Sequence, residues 1–279
     1  MKYDLHIHTK CSDGKYDKLE LLKYFNDNNF DIVAFTDHNY IDELNVSNIN
    51  KAYKNKYNAE QKVDIIEAIE FDVVEHRFLH ILGYGIKNKE RILNLNSVVK
   101  EKNTEITKQI IDNIRYIYDI EIDTKKLIEV SEDGNINKRG ITKWMIENGY
   151  ATDYIEAGYL YTSKESPCYV KKYAPTIEEV IQVIKESGGY SIMAHPFSLK
   201  LSEEETKEYI YKLIDKGIQG IEINNLDKTT SDQVQFLKSI VKELSLYQTC
   251  GSDFHNETAT PKLGLDDSDS DDFIRMLRR

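Results

Sequence analysis

Cysteine is scarce. The 279 residues hold three, Cys11, Cys168 and Cys250, odd in number and far apart, which excludes a disulfide scaffold and favours a reducing compartment. Long apolar runs are missing too: no stretch approaches the ~18 residues of a membrane span, and Met1 leads straight into MKYDLHIHT with no apolar signal segment. The expectation is a cytoplasmic protein with no membrane partner. Excess positive charge is also absent, since 37 Lys and Arg stand against 48 Asp and Glu, a formal net charge of −11. Duplex DNA is gripped by clustered cations that displace counterions, so it is not an expected partner, and any nucleic acid would be small or held in a local pocket. The sequence has no internal repeat, no long Gly/Ser linker and no surface stripe that marks an oligomer interface, so the oligomeric state stays open. What is present, 40% hydrophobic and 30% charged residues, describes a globular chain able to bury a core. Its length suits one or two domains, or a single α/β barrel.

Short β-branched runs recur at DLHIHT, DIVAFTDH, VDIIEAIEFD, RFLHILGYG, GYSIMAHP, GIQGIEINN and LYQTCGSDFH, each of strand length. Helices between several of them carry legible starts. Asp17 with Glu20, Thr176 with Glu179, Ser202 with Glu205 and Thr230 with Gln233 have capping-box spacing. Gly188, Gly189 and Gly217 supply stops. Strands alternating with helices imply βα units around a parallel sheet. Residues 91–161 break the rhythm with Lys- and Glu-rich helical stretches and no convincing strand. They are expected to form a helical insertion near the active-site mouth, with 1–90 and 162–279 forming the barrel. The late acidic run DDSDSDD lacks the alternating ligands and glycine of a calcium loop and reads as solvated.

Six of the seven histidines, His6, His8, His38, His80, His195 and His255, fall at or near the end of an expected strand; His76 does not. In barrels of parallel strands those ends converge on one catalytic face. Asp13, Asp37, Glu70 and Asp253 occupy comparable places. His6 and His8, two apart on a strand, point to the same side and can grip one ion, and Asp253 with His255 repeats that geometry. Glu70, amid Ile, Ala and Phe, is costly to bury unless a cation holds it. Singly, each residue also suits a bland role: His80 and His195 as core imidazoles bonded to a carbonyl, Glu70 as a strand-edge residue facing water. Jointly, the set points to a metal centre, and imidazole mixed with carboxylate suits Zn²⁺, Mn²⁺ or Fe²⁺ better than Ca²⁺ or Mg²⁺. A bound ion of that kind lowers the pKa of its water and makes solvent a competent nucleophile.

The motifs DLHIHTKCSDG, FTDHN, IEAIE, LHILGYG, MAHP and GSDFH resemble, in order, those of the polymerase and histidinol phosphatase (PHP) family across nearly the whole chain. The resemblance implies a distorted (β/α)7 TIM-like barrel of the α/β class, with an inserted helical subdomain and two or three divalent metal ions at its mouth. It implies that His6, His8, Glu70 and Asp253 hold the first ion, that Glu70 bridges to a second completed by His80 and His195, and that Asp13, His38 and His255 form a third site. Glu70, Asp253, His38 and His255 are the catalytic candidates. Asp37, beside a ligand, is placed to orient an imidazole, and Cys11 reads as a loop filler.

Within the family the chain most resembles phosphoesterases with a helical insertion, through NINKRGITKWMIENGY and the return SPCYVKKYAPTIEEVIQVIKESGGYSIMAHP. That group carries an Arg-Pro-His-Ile run where this chain has Lys138, Arg139 and Gly140, so Lys138 and Arg139 become the candidates for substrate phosphate contact. Lys171 and Lys172 are weaker ones. Trp144 and the tyrosines 150, 154, 159 and 161 could stack on a base, although packing of the inserted helices suits them better. The expected function is metal-dependent hydrolysis of a phosphate ester of a small molecule or nucleotide, with a nucleoside 3′,5′-bisphosphate or a short 5′-phosphorylated RNA end favoured. A histidinol-phosphatase-like monoesterase and a non-catalytic metal-binding scaffold are the alternatives.

Overall fold

The computed structural model describes residues 1–130, 136–225, 228–256 and 270–278. Most of the DDSDSDD run lies outside the described residues. All seven expected strands are present: β1 (Tyr3–Ile7), β2 (Ile32–Phe35), β3 (Asp64–Asp72), β4 (His80–Tyr84), β5 (Tyr190–Met193), β6 (Gly220–Asn225) and β7 (Tyr247–Gly251). The helices are α1 (Lys18–Asp27), α2 (Val46–Tyr57), α3 (Glu90–Tyr118), α4 (Thr124–Val130), α5 (Lys138–Glu147), α6 (Tyr154–Ala157), α7 (Ile177–Glu186), α8 (Glu203–Asp215), α9 (Ser231–Leu244) and α10 (Asp271–Leu277). Each capping box read from the sequence forms. Asp17, Thr176, Ser202 and Thr230 accept from the backbone amides of Glu20, Glu179, Glu205 and Gln233, whose side chains answer to the cap amides. Gly188 and Gly217 take φ of +75° and +105° just beyond α7 and α8, as left-handed stops require.

The chain divides into two compact units, one of Met1–Leu95 with Pro175–Arg279, the other of Asn96–Ala174. In the first, the strands pair in sequence order β1 to β7, and Ile7 bridges Phe254 in parallel register, so the barrel-shaped sheet is nearly closed. One strand departs from a uniformly parallel barrel. β4 runs antiparallel to both β3 and β5, with Asp72 opposite His80 and Ile81 opposite Met193. The link from Asp72 to His80 is far shorter than the dozen residues a parallel crossover needs, so the chain turns back directly. The reversal brings the first residue of β4, His80, to the rim where the other strands end. Branched residues such as Ile32, Ile69, Ile81, Ile192, Ile221 and Ile223 are fully buried and fill the core with residues from α7, α8 and α9.

The second unit is helical among its described residues and has its own core of Ile110, Ile114, Leu127, Ile141, Trp144, Met145 and Cys168. Trp144 stacks on Tyr150, with ring centroids 5.8 Å apart, and Tyr161 is buried while its hydroxyl donates to the Tyr150 carbonyl. Trp144 and Tyr161 are thus buried in packing, whereas Tyr150, Tyr154 and Tyr159 are exposed.

Closure of the barrel depends on a missing side chain. A Cβ on Gly251 would stand 2.2 Å from the His6 Cβ and 2.7 Å from its backbone nitrogen, so β7 approaches β1 only because residue 251 is glycine. We expect Gly251→Ala to force the two strands apart at a cost of about 1–3 kcal/mol or more. A circular-dichroism melt should show a Tm lowered by several degrees, and an unchanged Tm would contradict this account of closure.

Candidate metal centre

Strand alternation places Asp4, His6 and His8 on one side of β1 and Glu70 with Asp72 on one side of β3. His6, His8 and Glu70 have no exposed surface, and their ring nitrogens and carboxylate oxygens meet. Glu70 Oε2 lies 3.3 Å from His6 Nε2, 3.2 Å from His8 Nε2 and 3.3 Å from His38 Nδ1. Its other oxygen, Oε1, lies 3.1 Å from His80 Nδ1 and 3.0 Å from His195 Nε2. Asp253 Oδ1 adds contacts of 3.5 Å to His6 Nε2 and 3.2 Å to His8 Nε2. At the more open rim, His255 Nε2 stands 3.4 Å from Asp13 Oδ1, and its ring stacks on His8 with centroids 4.1 Å apart. All nine residues proposed as metal ligands from the sequence therefore share one neighbourhood.

Among the described residues, four groups have donor atoms mutually within 4.8 Å: His6, His8 and Glu70; Glu70, His80 and His195; His8, Asp13, His38 and His255; and His38, Asp72 and His80. Donor chemistry and unmet hydrogen bonding both suit a divalent ion. Glu70 Oε2 and His38 Nδ1 are buried, face each other, and have no hydrogen-bond partner. A buried acceptor left so is costly unless a cation meets it. The backbone also bends to deliver these groups. His195 adopts φ 26° and ψ 66°, and Asp253 has φ 51°, conformations that ordinary side chains avoid and that recur at functional sites.

Several neighbours escaped the sequence reading. Asp72 Oδ1 lies 3.3 Å from His38 Nδ1 and 3.6 Å from His80 Nε2, and its spacing of two from Glu70 was the available signal. Glu222, in the apolar strand β6, is buried against His6, the same kind of signal as Glu70. Lys228 ion-pairs with Asp253, and nothing in the sequence pattern flagged it. Asp37 differs from expectation. It accepts from Thr9 N, Thr9 Oγ1 and Ser12 Oγ, each at 2.7 Å, and so braces the loop that carries Asp13 instead of orienting an imidazole. Lys138 and Arg139 lie in the helical unit, where they line a cavity of about 330 Å³ with Lys100 and Lys172.

The charges answer one another. Burial pushes the His6 imidazole down, but Glu222, Glu70 and Asp253 outweigh it and hold His6 well above its ordinary 6.5. The same opposition leaves His8, His38 and His255 raised. Burial pushes the carboxyls up, yet the surrounding imidazoles hold Glu70 and Asp253 well below the usual range and take Asp13 to about 2. Raised histidines stabilise the metal-free fold fully below ~6.5 and lose that contribution as pH rises through their folded values. Lowered carboxylates contribute above ~4 and lose it as pH falls. Metal requires neutral imidazole, so protons compete with it. We expect the Tm difference between Zn²⁺-loaded and chelator-treated protein to widen from pH 6 to pH 8 in scanning fluorimetry. A constant difference would contradict the competition.

Comparison with known proteins agrees with this geometry. The PHP domain model matches residues 4–191. A 5′-3′ exoribonuclease of Haemophilus influenzae is 27% identical over 273 residues, covering 94% of this chain and 93% of its own. A 3′,5′-nucleoside bisphosphate phosphatase of Chromobacterium violaceum is 23% identical, covering 90% of this chain and 86% of its own. A crystal structure of a Bifidobacterium adolescentis protein named as a metal-dependent phosphoesterase superposes with TM-score 0.71 at 21% identity, over 99% of this chain and 94% of that one, a likeness of fold. With the motif order, the barrel and its histidine-lined mouth in place, the match over more than half its length makes this chain a member of the PHP domain family.

Proposed function

We propose that this chain is a metal-dependent phosphoric ester hydrolase acting on a small phosphorylated molecule, with a nucleoside 3′,5′-bisphosphate or a short 5′-phosphorylated RNA end as the favoured substrates. One observation carries the reading: the two oxygens of Glu70 face two different imidazole sets, His6, His8 and His38 on one side, His80 and His195 on the other. A single carboxylate is thereby arranged to bridge two ions. His6, His8, Glu70 and Asp253 would hold the first, Glu70, His80 and His195 the second, and Asp13, His38 and His255 a third where it binds. Such ions, Mn²⁺, Fe²⁺ or Zn²⁺ by donor type, lower the pKa of water and polarise phosphoryl oxygens when bound.

The residues themselves divide the remaining work. Glu70 and Asp253 stay ionised through neutral pH because imidazoles surround them. In the two-ion form, His255, partly exposed and paired through Nε2 with Asp13, holds a proton at the rim where a departing oxygen needs one. The names of the relatives, an exoribonuclease and a bisphosphate phosphatase, support a nucleotide-like substrate.

Lys138 and Arg139 are proposed to bind an anionic group in their cavity. Burial, aided by Lys172, draws the Lys138 ammonium below its ordinary pKa, a strain that an anion relieves. Its Nζ donates to the Val170 carbonyl at 2.8 Å and lies 4.6 Å over the Tyr169 ring, so the charge is held in place beside the cavity.

With Mn²⁺ and a nucleoside 3′,5′-bisphosphate, a 5′-phosphorylated oligonucleotide and histidinol phosphate offered separately, turnover is expected on one of the first two. Glu70→Gln should lower metal content and cut turnover about 100-fold or more. Full turnover with full metal would overturn the bridging role. Lys138→Ala and Arg139→Ala should each raise KM about 10-fold, the order expected for one charge-assisted hydrogen bond. An unchanged KM in both variants for every ester would remove this anion site.

A further inference from the structure

Glu222 touches none of the open space at the mouth, yet it reaches two of its histidines from behind. The side chain is 1% exposed on β6. Its Oε1 lies 2.8 Å from His6 Nδ1. Its Oε2 accepts from the backbone amide of His195 at 2.8 Å and from Asn225 Nδ2 at 3.3 Å. A carboxylate is an acceptor only, so His6 must carry a proton on Nδ1, and once the ring is neutral, as metal binding requires, its lone pair sits on Nε2 and faces forward. Forward is where Glu70 Oε2, Asp253 Oδ1 and His8 Nε2 stand, at 3.3, 3.5 and 3.2 Å. The second contact bears on backbone. His195 sits at φ 26°, and the Glu222 oxygen receives the amide of that strained residue. His195 in turn sends Nε2 to Glu70 Oε1.

We propose that Glu222 is a positioning residue shared by the two metal groups, setting the tautomer of His6 in the first and the backbone of His195 in the second, so that its loss weakens both. The inference rests on the ligand assignment under Proposed function and deepens it. An amide cannot replace the carboxylate. Three donors converge on Glu222, from His6, His195 and Asn225, and a glutamine would turn an NH₂ toward one of them.

The test is chelator competition for Zn²⁺, with bound metal counted per chain, on wild type and Glu222→Gln, alongside the melting curve of each metal-free protein. Loss of about 10–100-fold in affinity at both groups is expected, the range known for partners of ligating histidines. Cobalt-loaded protein should also show an altered visible spectrum. Unchanged zinc affinity with only a lower metal-free Tm would make Glu222 merely structural and overturn the proposal, as would loss at one group alone. Wild type that binds no metal would remove the ligand assignment itself and this inference with it. Should Glu222→Gln fail to fold, imidazole ¹⁵N shifts in zinc-loaded wild type decide: His6 protonated on Nδ1 supports the role, and His6 protonated on Nε2 overturns it.

Discussion

Glu70 is a carboxylate sealed from water at the centre of a barrel, and the construction of the mouth follows from that constraint. An isolated buried charge is prohibitively costly, so it must be met by partners of opposite charge or by hydrogen-bond donors. Here the partners come from β1, the turn after β2, the start of β4 and the turn after β5, supplying His6, His8, His38, His80 and His195. No single segment could deliver five imidazoles to two oxygens. A closed sheet can, because it gathers the ends of distant strands on one rim. The close approach at Gly251 is therefore as much a part of the site as any ligand, since it holds β7 and Asp253 against β1.

The cost of that convergence appears in the backbone. His195, Asp253 and Asn39, which follows His38, all have positive φ without being glycine. Each such position costs on the order of 1–3 kcal/mol and persists only where the surroundings over-determine it. The surroundings do so here. The His195 amide is fixed by Glu222, the Asn39 amide donates to the Glu70 carbonyl at 2.7 Å, and a dense layer of isoleucines lies beneath.

Much of this was legible before any coordinates. Strands announced themselves by β-branched runs, helices by their capping boxes, and the ligands by histidines and carboxylates recurring at strand ends. These signals are local, so a linear sequence carries them. The direction of β4 is not local: RFLHILGYG reads the same in either orientation, and only the short link from Asp72 decides it. Glu222 was missed although GIEINN offers the same clue as IEAIE, an acid in an apolar strand. Asp37 was placed beside the right histidine and given the wrong task, because a carboxylate's partner depends on where the Thr9 to Ser12 loop folds back. Lys138 and Arg139 showed their charge in the sequence, but the carbonyl that holds the ammonium came from Val170, far along the chain.

The reversal of β4 has a bearing on how such a centre tolerates change. Glu70 and His80 belong to adjoining antiparallel strands, with Asp72 directly opposite His80. Their separation is thus dictated by the rungs of a hairpin ladder and not by the number of residues in the bend that joins them. Insertions in the bend can lengthen an outer loop without disturbing the two ligands. A deletion of one residue within β4 itself is another matter. With side chains alternating sides, it would swing the imidazole out of the barrel and leave Glu70 Oε1 short of one of its two histidines.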